Sequence, residues 1–258
     1  MFTILTTMLR GIFRDIHTMV WNVAFPLAML VGLGLYFDNP AYSDRLLSGV
    51  LTTNVLFGAT MVTAFYVMSH RNRGVYKLLR ATPFSTLSFI TAMTGARTVL
   101  ALFVSVCVII VSVLLLGVSL SLTGSALMLL VLLIGTVCFT AIGFIAANLS
   151  RDESNVNMIS NLMSFPLLFT SEAFYSLEQA PQWVRVVGQL QPFHYLVEAM
   201  GIAVKANGGS LSAIGLPLGI LTGFTVVCLV LAAFTFRWDS ERPASRAGKH
   251  REQHFSSV

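Results

Sequence analysis

The sequence predicts an all-α integral membrane protein with six transmembrane helices. Of its 258 residues, 55% are hydrophobic and only 10% are Asp, Glu, Lys or Arg, whereas charged residues make up roughly 25% of an ordinary soluble domain. The mean hydropathy is +0.79, and long uncharged stretches alternate with short basic ones. The chain therefore lacks the polar side chains to cover a water-facing surface. A disordered chain, a disulfide scaffold and a nucleic-acid-binding domain are all poor fits.

The six spans follow from the lengths of the apolar stretches, because a helix needs about 20 apolar residues to cross the hydrocarbon of a bilayer. The stretch 98–150 is uncharged but too long for one crossing, and small polar residues at 119–125 predict a turn that divides it. The fifth stretch is shorter and more polar than the others. The predicted spans are 18–37, 46–69, 98–118, 126–149, 154–172 and 212–236.

The basic residues predict the orientation of these spans. Thirteen of the sixteen Lys and Arg residues fall on one side of the six-span topology, and Arg45, Arg185 and Lys205 fall on the other. Because cytoplasmic loops collect Lys and Arg, both termini are predicted to be cytoplasmic.

Two flanking segments complete the predicted architecture. Residues 2–16 place apolar side chains on one helical face, with Thr and Arg on the other. This pattern is typical of an amphipathic helix in the membrane surface, although a frayed start of the first span is the alternative. Residues 239–258 are polar and predicted to be disordered. We therefore expect a transmembrane domain over 1–238 and a cytoplasmic tail.

Sequence motifs for catalysis and metal binding are missing. There is no P-loop, no G-x-S-x-G turn and no H-E-x-x-H helix, and the three cysteines stand in apolar runs without metal-ligand spacing. The spans are almost free of ionisable residues, which also argues against a proton-coupled carrier. We expect a non-catalytic chain that binds no metal or cofactor directly.

Polar residues in the fifth predicted span are the exception. Asn157, Asn161 and Ser164 recur at i, i+4 and i+7 and so share one helical face. In a bilayer such groups face protein or a watery path, so they either join helices or line a translocation path at a dimer interface. Pro166 then removes a hydrogen-bond donor and is expected to interrupt the helix. Glu172, just beyond, is either a solvated or capping residue or a substrate gate.

A small-residue stripe marks the last span. Gly215, Gly219 and Gly223 repeat at four-residue intervals, and such a stripe permits close approach of helices. We expect packing within the protomer, with a subunit contact as the alternative.

The cytoplasmic segment 70–85, between the second and third spans, combines charge with an apolar stripe. A loop that touches anionic headgroups explains the charges, but it does not explain a helix that starts at a glycine, ends at a proline and carries apolar residues on one side. A short helix of this kind suits docking into a groove on another protein. The candidate docking residues are Arg71, Arg73, Gly74, Lys77, Leu78, Leu79 and Arg80.

Three motifs, in order, resemble the membrane subunit of ABC-2 type exporters, a family of drug-resistance, lipid and polysaccharide export permeases. The family pattern R-E-R-G-T-x-x-x-L-L-x-T-P-x-S corresponds to R-N-R-G-V-Y-K-L-L-R-A-T-P-F-S at 71–85. A Phe-Pro pair at 165–166 precedes an aromatic external stretch, and P-x-W and N-P-x-x-Y-x-x-E motifs correspond to 181–183 and 191–198. The resemblance covers residue 1 to about 238.

The resemblance implies half of a transporter core. Two such membrane subunits pair, as a homodimer or with a close paralogue, and two cytoplasmic ABC ATPase subunits dock beneath them. Residues near 71–82 form the coupling helix, and ATP and Mg²⁺ are bound by the partner ATPase. External re-entrant helices cover 174–205 and close the top of the path. The resemblance also implies a location in a bacterial cytoplasmic membrane. It adds Phe165 to the candidate residues of the substrate path or dimer interface, which are Asn157, Asn161, Ser164 and Glu172.

Several positions depart from the family pattern. Asn72 stands where the family usually has Glu, which removes a carboxylate that could pair with the ATPase, and Val75 stands where Thr is usual. Gln191 replaces the more usual Asn, a milder change.

The leading functional hypothesis is a permease subunit of an ATP-driven exporter for an amphipathic drug or lipid-like molecule. The coupling-like segment and the shortage of ion-coupling groups motivate it. The chain has 19 Phe against 3 Trp and 6 Tyr, which favours an apolar cargo over a glycan. The alternatives are a polysaccharide or glycolipid exporter permease and an ATP-independent channel or membrane scaffold.

Overall fold

The computed structural model describes residues 14, 16–37, 40–74, 86–175, 180–205 and 211–235. Within these ranges the chain is helical and has no strand, as predicted. The helices are α1 (Ile16–Phe37), α2 (Pro40–Asn72), α3 (Thr86–Leu116), α4 (Leu122–Leu149), α5 (Glu153–Phe169), α6 (Gln182–Gln189), α7 (Pro192–Lys205) and α8 (Leu211–Thr235).

Five of these helices are long and apolar enough to cross a membrane, namely α1, α2, α3, α4 and α8. The fifth predicted span corresponds to α5, which has 17 residues and is roughly 25 Å long at 1.5 Å per residue. This length is less than the hydrocarbon thickness of about 30 Å. The all-helical membrane class is therefore confirmed, while the count of six crossings stays a prediction.

The division of the long apolar stretch between α3 and α4 is confirmed. Gly117 has a φ of +65°, a left-handed conformation that favours glycine. Ser121 then caps α4, because its hydroxyl accepts a hydrogen bond from the Gly124 amide at 2.9 Å. The small polar residues of the sequence thus make the turn and start the next helix.

The centre of the fold is the contact between α2 and α4. A Cβ atom at Gly143 would lie 2.5 Å from the Thr60 carbonyl oxygen and 3.2 Å from the Ala59 carbonyl oxygen, so the two backbones touch. The Thr60 hydroxyl also donates a hydrogen bond to the Phe139 carbonyl at 3.3 Å. These contacts place α2 and α4 inside the protomer and leave α1 and α3 more exposed.

Two short helices, α6 and α7, occupy the region where re-entrant helices are predicted. The inner face of α7 is buried, and its Phe193 ring meets the Phe139 ring of α4 edge to face at 5.8 Å. In contrast, α6 exposes Trp183 and Val186. Two helices after α5 agree with the expected arrangement, and their entry into the membrane stays a prediction.

The glycine stripe of α8 does not pack within the protomer. Gly215, Gly219 and Gly223 are exposed, and a Cβ atom at any of them would meet nothing within 4 Å. The prediction of an internal contact is wrong for the part of the chain that the structure describes. The four-residue spacing gives a common face but not the direction of that face.

Three predicted segments lie outside the described residues. They are most of the amphipathic helix 2–16, the coupling segment beyond residue 74 and the tail 239–258.

Candidate functional site

The first of the candidate docking residues, Arg71, is anchored to the end of α4. Its side chain is 7% exposed, and the guanidinium donates hydrogen bonds to the Ala147 carbonyl at 3.1 Å and to Asn148 Oδ1 at 3.0 Å. A weaker contact reaches the Ser150 carbonyl at 3.5 Å. Because the last carbonyls of a helix lack internal partners and carry partial negative charge, Arg71 stabilises the end of α4.

The same contact extends to α8. Asn148 Nδ2 donates to Thr235 Oγ1 at 3.4 Å. Arg71, Asn148 and Thr235 therefore connect the ends of α2, α4 and α8, and we call these three residues the junction. The sequence pattern indicates the arginine but not its two partners, because they lie far from it along the chain.

The end of α2 has a glycine where the backbone requires one. Gly74 has a φ of +70°, and its amide donates to the Arg71 carbonyl at 3.1 Å, so the chain leaves the helix through a left-handed residue. Arg73 beside it is exposed. The other candidate docking residues, Lys77, Leu78, Leu79 and Arg80, lie outside the described residues, and docking to an ATPase stays a prediction.

Asn72, which stands where the family usually has Glu, contacts a carboxylate of α5. Asn72 Nδ2 donates to Glu153 Oε1 at the start of α5, at 3.4 Å. A Glu at position 72 would instead place two carboxylates side by side. In this chain α5 supplies an acidic group beside the end of α2.

The polar stripe of α5 is divided between two environments. Asn161 Nδ2 donates to Asn157 Oδ1 at 2.9 Å, and Asn157 is exposed. Ser164 is only 1% exposed and lies inside the protomer. The structure therefore brings the two amides together on the outer face and separates the hydroxyl from them.

The outer face of α5 is otherwise apolar. The Phe165 ring stacks on the Phe169 ring with centroids 6.1 Å apart, and it meets the Phe57 ring of α2 at 5.6 Å. The predicted interruption of the helix at Pro166 is wrong, because α5 continues through this residue to Phe169. One missing amide near the end of a helix removes only one hydrogen bond. The large apolar side chains exposed on this face are Met158, Leu162, Phe165 and Phe169.

A glutamine that the sequence analysis treated as a mild departure holds the outer end of α5. Gln191 Nε2 donates to the Leu167 carbonyl at 3.0 Å and to Thr170 Oγ1 at 2.9 Å. The side chain is 7% exposed. Glu172, in the loop that follows α5, is half-buried. A gating role for Glu172 stays a prediction.

A sizeable cavity lies elsewhere, between α1 and α2. It is a groove of about 490 Å³ lined mainly by apolar side chains, among them Trp21, Phe25, Met29 and Phe57. Sequence periodicity could not reveal it, because its walls come from two helices that also carry apolar residues on their other faces. Within the described residues, no group of three His, Cys, Asp or Glu side chains could hold a metal ion.

These features define a class of protein: a multi-pass helical membrane protein with hydrogen-bonded polar residues at helix ends and an amide pair on one outer face. The ABC-2 type transporter family model matches residues 1–204. The chain belongs to this family, so its fold is that of a transport permease.

One curated relative adds to this assignment. A protein of Porphyra purpurea that carries the name transport permease ycf38 is 25% identical over 196 residues. The alignment covers 75% of this chain and 66% of the relative, a little under two thirds of the relative's length.

Proposed function

We propose that this chain is the membrane-spanning subunit of an ATP-driven exporter that moves an amphipathic drug or lipid-like molecule out of the cytoplasm or the inner leaflet. Two separate ABC ATPase subunits bind ATP and Mg²⁺ and hydrolyse the nucleotide. The chain itself is non-catalytic. It resides in a bacterial cytoplasmic membrane with both termini in the cytoplasm.

The junction is the observation that carries this proposal. The segment that resembles a coupling helix begins at a side chain hydrogen-bonded to the end of α4, and α4 is linked onward to α8. A force applied to the segment by a moving ATPase would therefore act on three helix ends together. An autonomous channel or scaffold gives no reason for such an anchored docking segment.

The outer face of α5 supports pairing with a second membrane subunit. Asn161 donates to Asn157, and the remaining amide groups of the two side chains have no hydrogen-bond partner among the described residues. They lie on a face that a single protomer would turn to lipid. A second copy or a close paralogue would cover the amides, or a water-filled path between the copies would solvate them.

The side chains on this face favour an apolar cargo over a glycan. Phe165 and Phe169 stand among aliphatic residues, whereas sugar passage would favour Trp and Tyr stacking along the path. A polysaccharide or glycolipid exporter is the second candidate, and transport assays with lipid, drug and glycan panels separate the two.

Affinity purification from native membranes tests the coupling step. The intact chain should carry a stoichiometric ABC ATPase, and Leu78→Asp, which places a charge on the apolar docking stripe, should lose it. Arg151→Gln is the matched control, because Arg151 is an exposed cation outside the docking segment. Absence of any ATPase from the intact chain, together with substrate flux from the reconstituted chain without ATP, would establish the channel alternative.

A further inference from the structure

We propose that the groove between α1 and α2 binds an anionic amphiphile, with its apolar chain in the groove and its anionic group directed toward Arg97. The binding of this amphiphile is independent of the proposed function, but the statement that it is the transported cargo rests on that function.

The groove has the size and position of a binding site for an acyl chain. Its volume of about 490 Å³ lies within the range of roughly 300–1,000 Å³ found for small-molecule sites. Trp21 and Phe25 on its rim are each 61% exposed, so the groove opens on the outer surface of the protomer. Both helices are candidate membrane spans, and this surface therefore faces the bilayer unless another protein covers it.

The inner end of the groove is polar. A smaller cleft of about 20 Å³ shares Asn22, Asn54 and Gly58 with the groove and continues to Arg97 on α3. A space of about 10–15 Å³ holds one water molecule, so the cleft accommodates one oxygen atom of an anionic group. The two asparagines place side-chain amides where the apolar groove meets this cleft.

Arg97 is a buried cation that has no anionic partner among the described residues. Its side chain is 6% exposed, and its guanidinium lies 5.1 Å from the centre of the Tyr66 ring. No described residue forms a hydrogen bond or an ion pair with it. Arg71 is buried to the same extent, yet it donates hydrogen bonds to the end of α4. Within the described part of the chain, the terminal nitrogens of Arg71 therefore have acceptors at a helix end, and the guanidinium of Arg97 has none.

An anionic ligand would remove the cost of this arrangement. A charged side chain within a transmembrane helix is expensive unless it meets a partner or water, and Arg97 lies six residues inside the span that begins at Thr91, roughly 9 Å along the helix. The planar guanidinium matches carboxylate and phosphate oxygens. When the apolar chain of the amphiphile lies in the groove, its carboxylate or phosphate group lies at the polar inner end of the groove.

Fluorescence of Trp21 provides a direct test, because this ring lines the groove. The full chain with Trp183→Phe and Trp238→Phe retains Trp21 as its one tryptophan, since the chain has three. It is reconstituted into phosphatidylcholine vesicles in which either phosphatidylcholine or anionic phosphatidylglycerol carries brominated acyl chains that quench tryptophan. The ratio of the two quenching affinities reports the preference for the anionic lipid.

We expect a preference of about fivefold for phosphatidylglycerol, lost in Arg97→Gln and largely kept in Arg97→Lys. Gly58→Leu should lower quenching by both lipids, because a side chain there fills the passage between groove and cleft while its Cβ has ordinary contacts. Arg151→Gln removes an exposed cation outside the groove and should change nothing.

Three results would overturn the proposal. An unchanged preference in Arg97→Gln would mean that water alone satisfies the guanidinium. An equal loss in Arg151→Gln would assign the preference to surface charge. Absence of quenching by either lipid would mean that a protein helix covers the groove.

A second arm distinguishes cargo from a resident lipid. With the cognate ATPase bound, ATP turnover should relieve the quenching by brominated phosphatidylglycerol if that lipid class is exported. A preference that persists without any response to ATP supports the site but assigns it to a resident lipid. Failure of export and failure of binding are therefore separate outcomes.

Discussion

At the scale of single residues, the partners of an arginine decide its role in this protein. Arg71 and Arg97 are almost equally buried, but the first donates hydrogen bonds to the end of α4 and the second rests against an aromatic ring. Loss of the first should therefore unfold the helix ends, and loss of the second should alter ligand binding.

We expect Arg71→Gln to lower the free energy of unfolding by about 2–4 kcal/mol, because charged hydrogen bonds to buried acceptors are lost. Arg71→Lys should recover only part of the lost free energy of unfolding. An ammonium group lacks the planar pair of N–H donors that contacts the Ala147 carbonyl and Asn148 Oδ1 together. Denaturant unfolding in detergent measures both. Arg151→Gln is the control, and an equal effect there would contradict a specific anchor.

The contact between Asn72 and Glu153 should give a small coupling free energy between the two side chains. Asn72→Glu should destabilise the protein by about 0.2–1 kcal/mol, because two exposed carboxylates would then face each other. The same change in a Glu153→Gln background should be neutral. A double-mutant cycle on unfolding measures the difference, and additive effects would mean that the two side chains do not interact.

At the scale of helices, the close backbone contact between α2 and α4 leaves no room for a side chain at Gly143. Gly143→Ala should destabilise the protein by about 1–3 kcal/mol, because the added Cβ meets a carbonyl oxygen of α2 rather than a movable side chain. Gly219→Ala on α8 is the matched control, with open space at its Cβ. Thermal unfolding should separate the two variants, and equal stability would contradict the packing of α2 on α4.

The hydrogen bonds of Gln191 are expected to stabilise the outer end of α5. Gln191→Leu keeps the size of the side chain but removes the donor to the Leu167 carbonyl and Thr170 Oγ1, which should cost about 1–2 kcal/mol. Hydrogen exchange of the amides at 170–175 should rise. Unaltered exchange in this loop would show that Gln191 does not hold it.

The sequence predicts the helices well but their contacts poorly. Long apolar stretches reveal spans because lipid leaves few alternatives to a helix, and the polar residues near Ser121 reveal the turn before α4. In contrast, Gly143 and Gly219 look alike in sequence, yet one touches α2 and the other faces outward. In the sequence Arg97 looks like one more cytoplasmic-side cation, and nothing local indicates that no described residue pairs with it. Such facts depend on residues brought together from distant parts of the chain.

At the scale of the whole molecule, the outer face of α5 is where we propose that a second membrane subunit binds. The face joins an amide pair to large exposed apolar side chains, and an amide exposed to hydrocarbon is costly. Pairing through this face would bury both groups and place α5 beside the path between the two halves.

Cysteine cross-linking tests this arrangement. In a background with Cys107, Cys138 and Cys228 replaced by Ala, Leu162→Cys should give a cross-linked dimer under mild oxidation in native membranes, because its side chain is 69% exposed on α5. Leu114→Cys is the matched control on α3, with 74% exposure, and should stay monomeric. If both cross-link equally, exposure to lipid rather than an interface explains the result. If Leu162→Cys cross-links only when a paralogue carries a matching cysteine, the pair is a heterodimer.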